Sequence, residues 1–248
     1  MRNNSLNKCI YSLLIYPMWM IAFLFFMSGT TFSQEVKSKD QVLSEVRYQG
    51  VTIQNVKIDV IGTVIIQKGT ETKVEIQANE ESLKNVVSKH AGKTLNVHTK
   101  KGSKTSQTVL YITLSDESVN LMINTVGKVI VSDKLMLQSL KMDANTVGSI
   151  QMNIEGNDLT LKGKAIGSVE LEGSVKKMHV DFLSVGSFKS TNLICNELDF
   201  NIGAITTAEI YAKEHLTLGV KACSLIKLKG EPTIVNDKNN PLIKIEKY

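Results

Sequence analysis

Asn124-Thr125-Val126-Gly127 is the first of five similar short phrases in this chain. The other four are Asn145-Thr146-Val147-Gly148, Ala165-Ile166-Gly167, Ser184-Val185-Gly186 and Asn201-Ile202-Gly203. Successive glycines lie about 17–21 residues apart, and a repeat of this length is typical of an architecture in which one short structural unit stacks on the next.

Two positions around the glycine are apolar in every copy. The residue before the glycine is Val126, Val147, Ile166, Val185 or Ile202, and the residue two positions after it is Val129, Ile150, Val169, Phe188 or Ile205. We therefore predict two inward apolar columns. The repeat also predicts that each glycine is a structural corner whose crowded or positive-φ backbone leaves no room for a Cβ atom. These corners are Gly127, Gly148, Gly167, Gly186 and Gly203.

The segments between the glycines are too short for helices. Each period holds two or three short runs of alternating apolar and polar residues, which are typical of strands and exclude βαβ units. The pattern predicts an all-β fold, a parallel β-helix or solenoid of about 17–21 residues per coil. One short helix is expected near residues 80–90, where Leu83, Val86 and Val87 share a face before Ala91-Gly92.

The N-terminus is typical of an exported protein. Residues 1–33 read as a signal peptide, with a basic start, an apolar run over 10–27 and small residues at 28–33. The alternative is an uncleaved membrane anchor, because the apolar run reaches the lower length limit for a span. Residues 34–46 are predicted to be a flexible lead, and residues 47–248 a single domain.

Charge and cysteine content exclude some classes of function. The net charge of +5 falls to +3 when Arg2 and Lys8 leave with the signal peptide, which is too small and dispersed to indicate a nucleic-acid partner. Cys195 and Cys223 would then remain in an oxidising compartment. We expect Cys195 to be a small buried side chain, with a disulfide as the alternative.

No catalytic, cofactor or metal site is expected from the sequence. The histidines, at 90, 98, 179 and 215, lack the spacing of metal ligands, and no nucleophile elbow or phosphate loop occurs. Two surface features remain as candidates. Asn124 and Asn145, with Thr125 and Thr146, form either a polar binding strip or a ladder of side chains bonded to one another or to the turn backbone.

The second candidate is a set of carboxylates. Glu170 and Glu172 lie two residues apart and so share one side of a strand. With Asp181, Glu197 and the nearby Lys189 they are candidates for a polysaccharide-processing face, although any solvated strand face also carries alternating charges.

The order and spacing of these motifs resemble the family of putative auto-transporter adhesin head domains known as GIN. The matching segments are Val56 to Ile66 with Gln67-Lys68-Gly69, Lys73-Val74-Glu75-Ile76, Gly92-Lys93-Thr94-Leu95-Asn96-Val97, the serial glycine corners, and Gly230-Glu231-Pro232-Thr233-Ile234. The resemblance implies a right-handed β-helix-like fold and an extracytoplasmic location. The chain departs from the pattern at Ala222 and Cys223, where a corner glycine is replaced.

These observations favour a non-catalytic, exported domain that is periplasmic, on the outer surface or extracellular. An adhesin-like binding role or a structural role in assembly is expected, and a carbohydrate-binding or polysaccharide-processing protein of the cell envelope is the alternative. A glycan or an envelope protein would be the partner, and the open ends of a stack could associate with a second copy. Membrane contact is expected only through an uncleaved signal segment.

Overall fold

The polypeptide consists almost entirely of strands. The computed structural model describes residues 41–103, 108–146, 148–164, 167–236 and 244–248. All of these residues belong to one compact unit, which lies within Lys39–Tyr248. The predicted signal peptide and most of the predicted lead therefore lie outside the described residues.

Thirteen strands and one helix occur in the described ranges. They are β1 Leu43–Gln49, β2 Asn55–Lys68, β3 Lys73–Ala78, α1 Glu80–Asn85, β4 Val86–Ala91, β5 Thr94–Thr99, β6 Thr108–Leu114, β7 Ser118–Thr146, β8 Ser149–Gly163, β9 Ser168–Tyr211, β10 His215–Leu218, β11 Ala222–Lys229, β12 Thr233–Asn236 and β13 Ile245–Lys247. The expectation of an all-β fold is confirmed. No helix in the described part of the chain has the length and apolar character needed to cross a membrane.

The long strands pair in parallel with their successors in the repeat. β2 pairs with β7 and β8 with β9 in one continuous register, and β7 pairs with β8 with a single register shift between Val131 and Leu135. β10 and β11 pair in parallel with later parts of β9. Like residues consequently stack on like residues. Val64, Val129, Ile150 and Val169 are register partners in turn, and each is at most 1% exposed.

One of the two predicted apolar columns is confirmed in full. The residues two positions after the glycines are all buried, from Val129 at 0% to Ile205 at 6% exposure. Of the other column, Val185 and Ile202 are buried, whereas Val126 is 56% exposed, so its inward prediction is wrong. Val147 and Ile166 lie outside the described residues.

The reason for the error at Val126 is the straight course of the strand. In β7 the odd-numbered residues from Val119 to Val131 face inward without interruption past Gly127, which leaves Val126 on the outside. Thr125 takes the inward position, with 4% exposure, and its hydroxyl donates to the Gly62 carbonyl at 3.2 Å. Near Val185 every third residue is buried instead, namely Phe182, Val185 and Phe188, and the residues between them are exposed.

The N-terminal third departs from a purely parallel arrangement. β3 pairs antiparallel with both β1 and β6, and β4 pairs antiparallel with β5. β1 begins at Leu43, so the last four residues of the predicted flexible lead are in a strand. The handedness and the closure of the predicted solenoid stay predictions, because the strands form one open sheet path from β1 to β12.

The predicted helix is present but shorter than expected. It begins after Asn79, whose side chain accepts a hydrogen bond from the Ser82 N–H at 2.8 Å, and it ends at Asn85. Residues 86–90, which were predicted to continue the helix, belong to β4 instead. The β-branched Val86 and Val87 pair there with β5, where a strand accommodates them better than a helical turn does.

Candidate binding face

Three adjoining grooves mark one outer face of the ladder. We call this surface the groove face. It consists of the outward-facing residues among 55–59 in β2, 120–124 and 139–145 in β7, 158–164 from β8 onward, 177–183 and 197–203 in β9, and 215–221 from β10 onward. The grooves measure about 540, 370 and 690 Å³. The first shares Thr160 and His179 with the second, and Asp143 with the third. They therefore form one continuous depression.

The first groove combines amide, thioether and cationic groups. Asn120 and Met122 of β7 lie in register beside Asn55 and Lys57 of β2, and the Asn120 side chain donates to the Asn55 side chain at 3.0 Å. Met122 is 44% exposed although it is a large apolar side chain. Lys141 lies farther along, in register with Thr160.

The second groove is held by ion pairs between neighbouring segments. Lys177 pairs with Glu197 at 2.9 Å, and the hydrogen bond and charge of this carboxylate raise the lysine pKa above its ordinary value. His179 contacts Asp199 at 2.7 Å, and His215 lies in register with Glu197. The lining of this groove includes three carboxylates and one lysine.

The asparagines predicted as a polar strip lie side by side at the rim of this surface. The Asn145 amide donates to the Asn124 side chain at 3.0 Å, and Asn145 lines the third groove. This contact matches the ladder alternative from the sequence, in which the side chains bond to one another. Asn124 and Asn145 nevertheless keep further donors and acceptors for a ligand.

The structure does not bring the candidate carboxylates together. Glu170 pairs with Lys189 at 3.5 Å on another segment, in register with Gln151, and Glu172 lies in register with Asn153. Neither of the two lines any of the three grooves. Asp181 lines the third groove and Glu197 the second. Within the described ranges, no group of three His, Cys, Asp or Glu residues is placed to hold a metal ion.

The glycines stack directly on one another, and the column includes one that the sequence repeat missed. Gly127 is the register partner of Gly62 in β2, and a Cβ atom on Gly127 would lie 1.9 Å from the Gly62 carbonyl oxygen. A Cβ atom on Gly148 would lie 1.7 Å from the Gly127 carbonyl oxygen, and one on Gly167 would lie 1.7 Å from the Gly148 carbonyl oxygen. Gly186 donates its N–H to the Gly167 carbonyl at 3.0 Å. Close backbone approach therefore requires glycine at Gly127, Gly148 and Gly167.

Gly203 and the two cysteines complete the predicted structural positions. A Cβ on Gly203 would lie 2.3 Å from the carbonyl oxygen of Leu183. Cys195 is fully buried and unpaired, as the simpler sequence interpretation expected, and burial raises its pKa to about 12. Cys223 is a half-buried free thiol.

Lys57, Met122 and Lys141 are among the residues of the first groove that sequence reasoning missed. Each lies on the outward side of an alternating strand, where neither a charged residue nor a single exposed apolar residue needs an explanation. The available signal was the register implied by the glycines. Had Gly62 been aligned with Gly127, Lys57 would have fallen beside Met122.

Comparison with known proteins identifies the family. The family described as "Putative auto-transporter adhesin, head GIN domain" matches residues 47–232. No curated protein matches the chain.

Solved structures of low sequence identity share the fold. A putative adhesin from Bacteroides fragilis NCTC 9343 has a TM-score of 0.64 at 16% identity, over 84% of this chain and 93% of that one. A putative adhesin from Parabacteroides merdae ATCC 43184 has a TM-score of 0.61 at 13% identity, over 84% and 96%. A protein from Parabacteroides distasonis ATCC 8503 described as a putative lipid binding protein has a TM-score of 0.56 at 15% identity, over 82% and 94%. Because the family match spans most of the sequence, this chain belongs to the family of auto-transporter adhesin head GIN domains.

Proposed function

We propose that this protein is a non-catalytic, exported binding domain that uses its groove face to attach to a partner at the cell surface. The observation that carries the proposal is the continuity of the three grooves, which share lining residues along one side of a regular ladder. A site of this length suits an extended ligand better than a compact one. The adhesin description of the family and of its structural relatives points in the same direction.

The scaffold for this surface is a right-handed parallel solenoid of about 17–21 residues per coil. Parallel pairing of β7 with β8 and of β8 with β9, each one repeat further along the chain, supports this winding. Each outward position then recurs at about 4.8 Å intervals along the stack. Because every strand is fixed by its neighbours, the outward side chains form a preorganised surface, and binding orders little additional backbone.

The alternative, a polysaccharide-processing enzyme, has weaker support. Paired carboxylates for glycoside hydrolysis stand about 5–10 Å apart on either side of the bond to be cleaved. The candidate acids are divided between the groove face and another surface, and both Glu170 and Glu197 are engaged by lysines. Carbohydrate binding without cleavage remains compatible with the groove face.

A pair of matched substitutions tests the role of the groove face. Thr160 lines both the first and the second groove, so Thr160→Tyr would obstruct each of them. Gln151→Tyr places the same side chain on an exposed strand position that lines none of the grooves. The purified protein is coated on beads and tested for adhesion to immobilised envelope polysaccharides and surface proteins.

The two variants give opposite expectations. Adhesion should fall at least about tenfold in Thr160→Tyr, which corresponds to about 1.4 kcal/mol, and stay at the wild-type level in Gln151→Tyr. Equal adhesion by both variants and the wild type would refute the groove face as the binding surface. Thermal unfolding of both variants checks that the comparison concerns folded protein.

A further inference from the structure

We propose that the first groove binds an acidic saccharide, and that Lys57 and Lys141 hold carboxylates of its uronic acid units. This inference rests on the proposed role of the groove face and specifies its ligand. The two lysines, with Asn55, Asn120 and Met122, supply the binding groups.

The first observation is the pairing state of the lysines. Elsewhere on the ladder, several outward lysines pair with a carboxylate on a neighbouring segment, as shown by Lys134 with Glu155, Lys177 with Glu197 and Lys227 with Glu209. Among the residues described by the structure, Lys57, Lys141 and Lys162 have no carboxylate within ion-pair distance, yet all three line the same groove. Only one carboxylate, that of Asp143, lines it with them. The groove is therefore cationic and lacks an internal counter-charge for each lysine.

The second observation is the spacing of these groups. Lys57 lies on β2 and Lys141 on the second pass of β7, and the first pass of β7 runs between them. Lys57 is in the row of Met122, whereas Lys141 is in the row of Asn120, two residues away along the strand. With strands about 4.8 Å apart and about 3.3 Å per residue, the two lysines are anchored about 12 Å apart. Asn120 and Met122 occupy the intervening strand, so a ligand that spans the lysines lies across an amide and an exposed thioether.

This combination fits the chemistry of a uronic acid oligomer. Its carboxylates would accept charge-assisted hydrogen bonds from the lysines, its hydroxyls would bond to the asparagine amides, and the C–H face of a sugar ring would pack on Met122. Long lysine stems add apolar surface beside the thioether.

Other anionic ligands fit less well. An acidic peptide that bound by strand addition would need a free backbone edge, whereas the floor of this groove is the paired ladder of residues 55–59 with 120–124. A fatty acid could place its carboxylate at the lysines, but its hydrocarbon chain would leave the amide groups of Asn55 and Asn120 without a polar partner on the ligand.

Calorimetric titration of the purified protein tests the proposal. The probe is a galacturonic acid tetrasaccharide, and the neutral control is the corresponding galactose tetrasaccharide. We expect the acidic probe alone to bind, and its dissociation constant to increase as the salt concentration is raised from about 0.05 to about 0.5 M, because the contacts are exposed ion pairs. The double variant Lys57→Gln with Lys141→Gln should weaken binding at least about tenfold.

Two further double variants make the test specific. Lys57→Arg with Lys141→Arg keeps both charges and should remain within about threefold of the wild type. Lys128→Gln with Lys213→Gln removes the same number of charges from exposed positions that line none of the grooves, and binding should not change. Equal binding of the neutral tetrasaccharide, or no loss in the groove glutamine variant, would overturn the proposal.

Two remaining outcomes separate this inference from the proposed function. If Thr160→Tyr abolishes adhesion while the wild-type protein binds no uronic acid probe, the ligand class is wrong and the groove face stands. If laurate binds with the same dependence on the two lysines and the tetrasaccharide does not, the ligand is an anionic amphiphile and the saccharide proposal is refuted.

Discussion

Gly127→Ala is the most direct test of the packing between successive coils. The added Cβ atom would lie 1.9 Å from the Gly62 carbonyl oxygen, whereas real Cβ contacts are essentially never under 3.0 Å. The two backbones must therefore separate by at least about 1.1 Å at this point. The obstructing atom belongs to the backbone, so no side-chain rotation can relieve the contact.

The cost follows from where this contact lies. Gly62 and Gly127 are in the middle of the twelve register pairs that join β2 to β7, so a local separation strains hydrogen bonds on both sides. Losing one or two of them costs about 1 kcal/mol each, and overpacking adds about 1–3 kcal/mol. We expect a total of about 2–5 kcal/mol, which for a domain of this size corresponds to a decrease in melting temperature of about 4–20 °C.

Thermal and urea unfolding, followed by circular dichroism, measure this loss. Lys128→Ala is the matched control, because it places an alanine at the next residue, whose side chain is exposed. Lys128→Ala should change the free energy of unfolding by no more than about 0.5 kcal/mol. A melting temperature for Gly127→Ala within about 2 °C of that control would refute the conclusion that close backbone approach selects glycine in this column.

Three further predictions concern ionisation, thiol reactivity and export. Hydrogen bonds, of which the strongest comes from Lys73, lower the pKa of the Glu75 carboxyl from 4.5 to about 2. The ionised carboxylate therefore stabilises the fold above pH 4.5, and this contribution is lost as the pH falls towards 2. In urea unfolding, the free energy of unfolding of the wild type should exceed that of Glu75→Gln by about 1 kcal/mol at pH 7 and by less at pH 3. The same difference in this free energy at both pH values would contradict the prediction. Iodoacetamide should modify Cys223 before Cys195 in the native protein, because burial raises the pKa of the Cys195 thiol to about 12. Peptide mass spectrometry measures this order, and modification of Cys195 first would contradict the prediction. The intact mass of the exported protein, measured by mass spectrometry, should correspond to a chain that begins at Gln34. A mass that still includes residues 1–33 would contradict cleavage.

The sequence allowed the repeat and its main apolar column to be predicted because both depend on local rules. Val129, Ile150 and Val169 recur at fixed distances after a glycine, and alternation in a strand assigns them to the same side. The side occupied by Val126 could not be predicted in this way. It depends on whether the strand continues straight through the glycine or bends there, and burial near Gly127 and near Gly186 follows these two different courses.

The binding surface was harder to predict because one insertion separates its parts in the sequence. The segment 69–117, which includes β3 to β6 and the helix, divides the first coil from the second, so that Gly62 lies several repeat lengths before its partner Gly127. The regular spacing of the later glycines therefore did not extend back to it. Without that alignment, Lys57 is an ordinary charged residue in an alternating strand. With it, Lys57 lies beside Met122 and two strands from Lys141, and the three side chains become one groove. The glycine column thus fixes the scaffold, and it also sets the register that brings the groups of the binding face together.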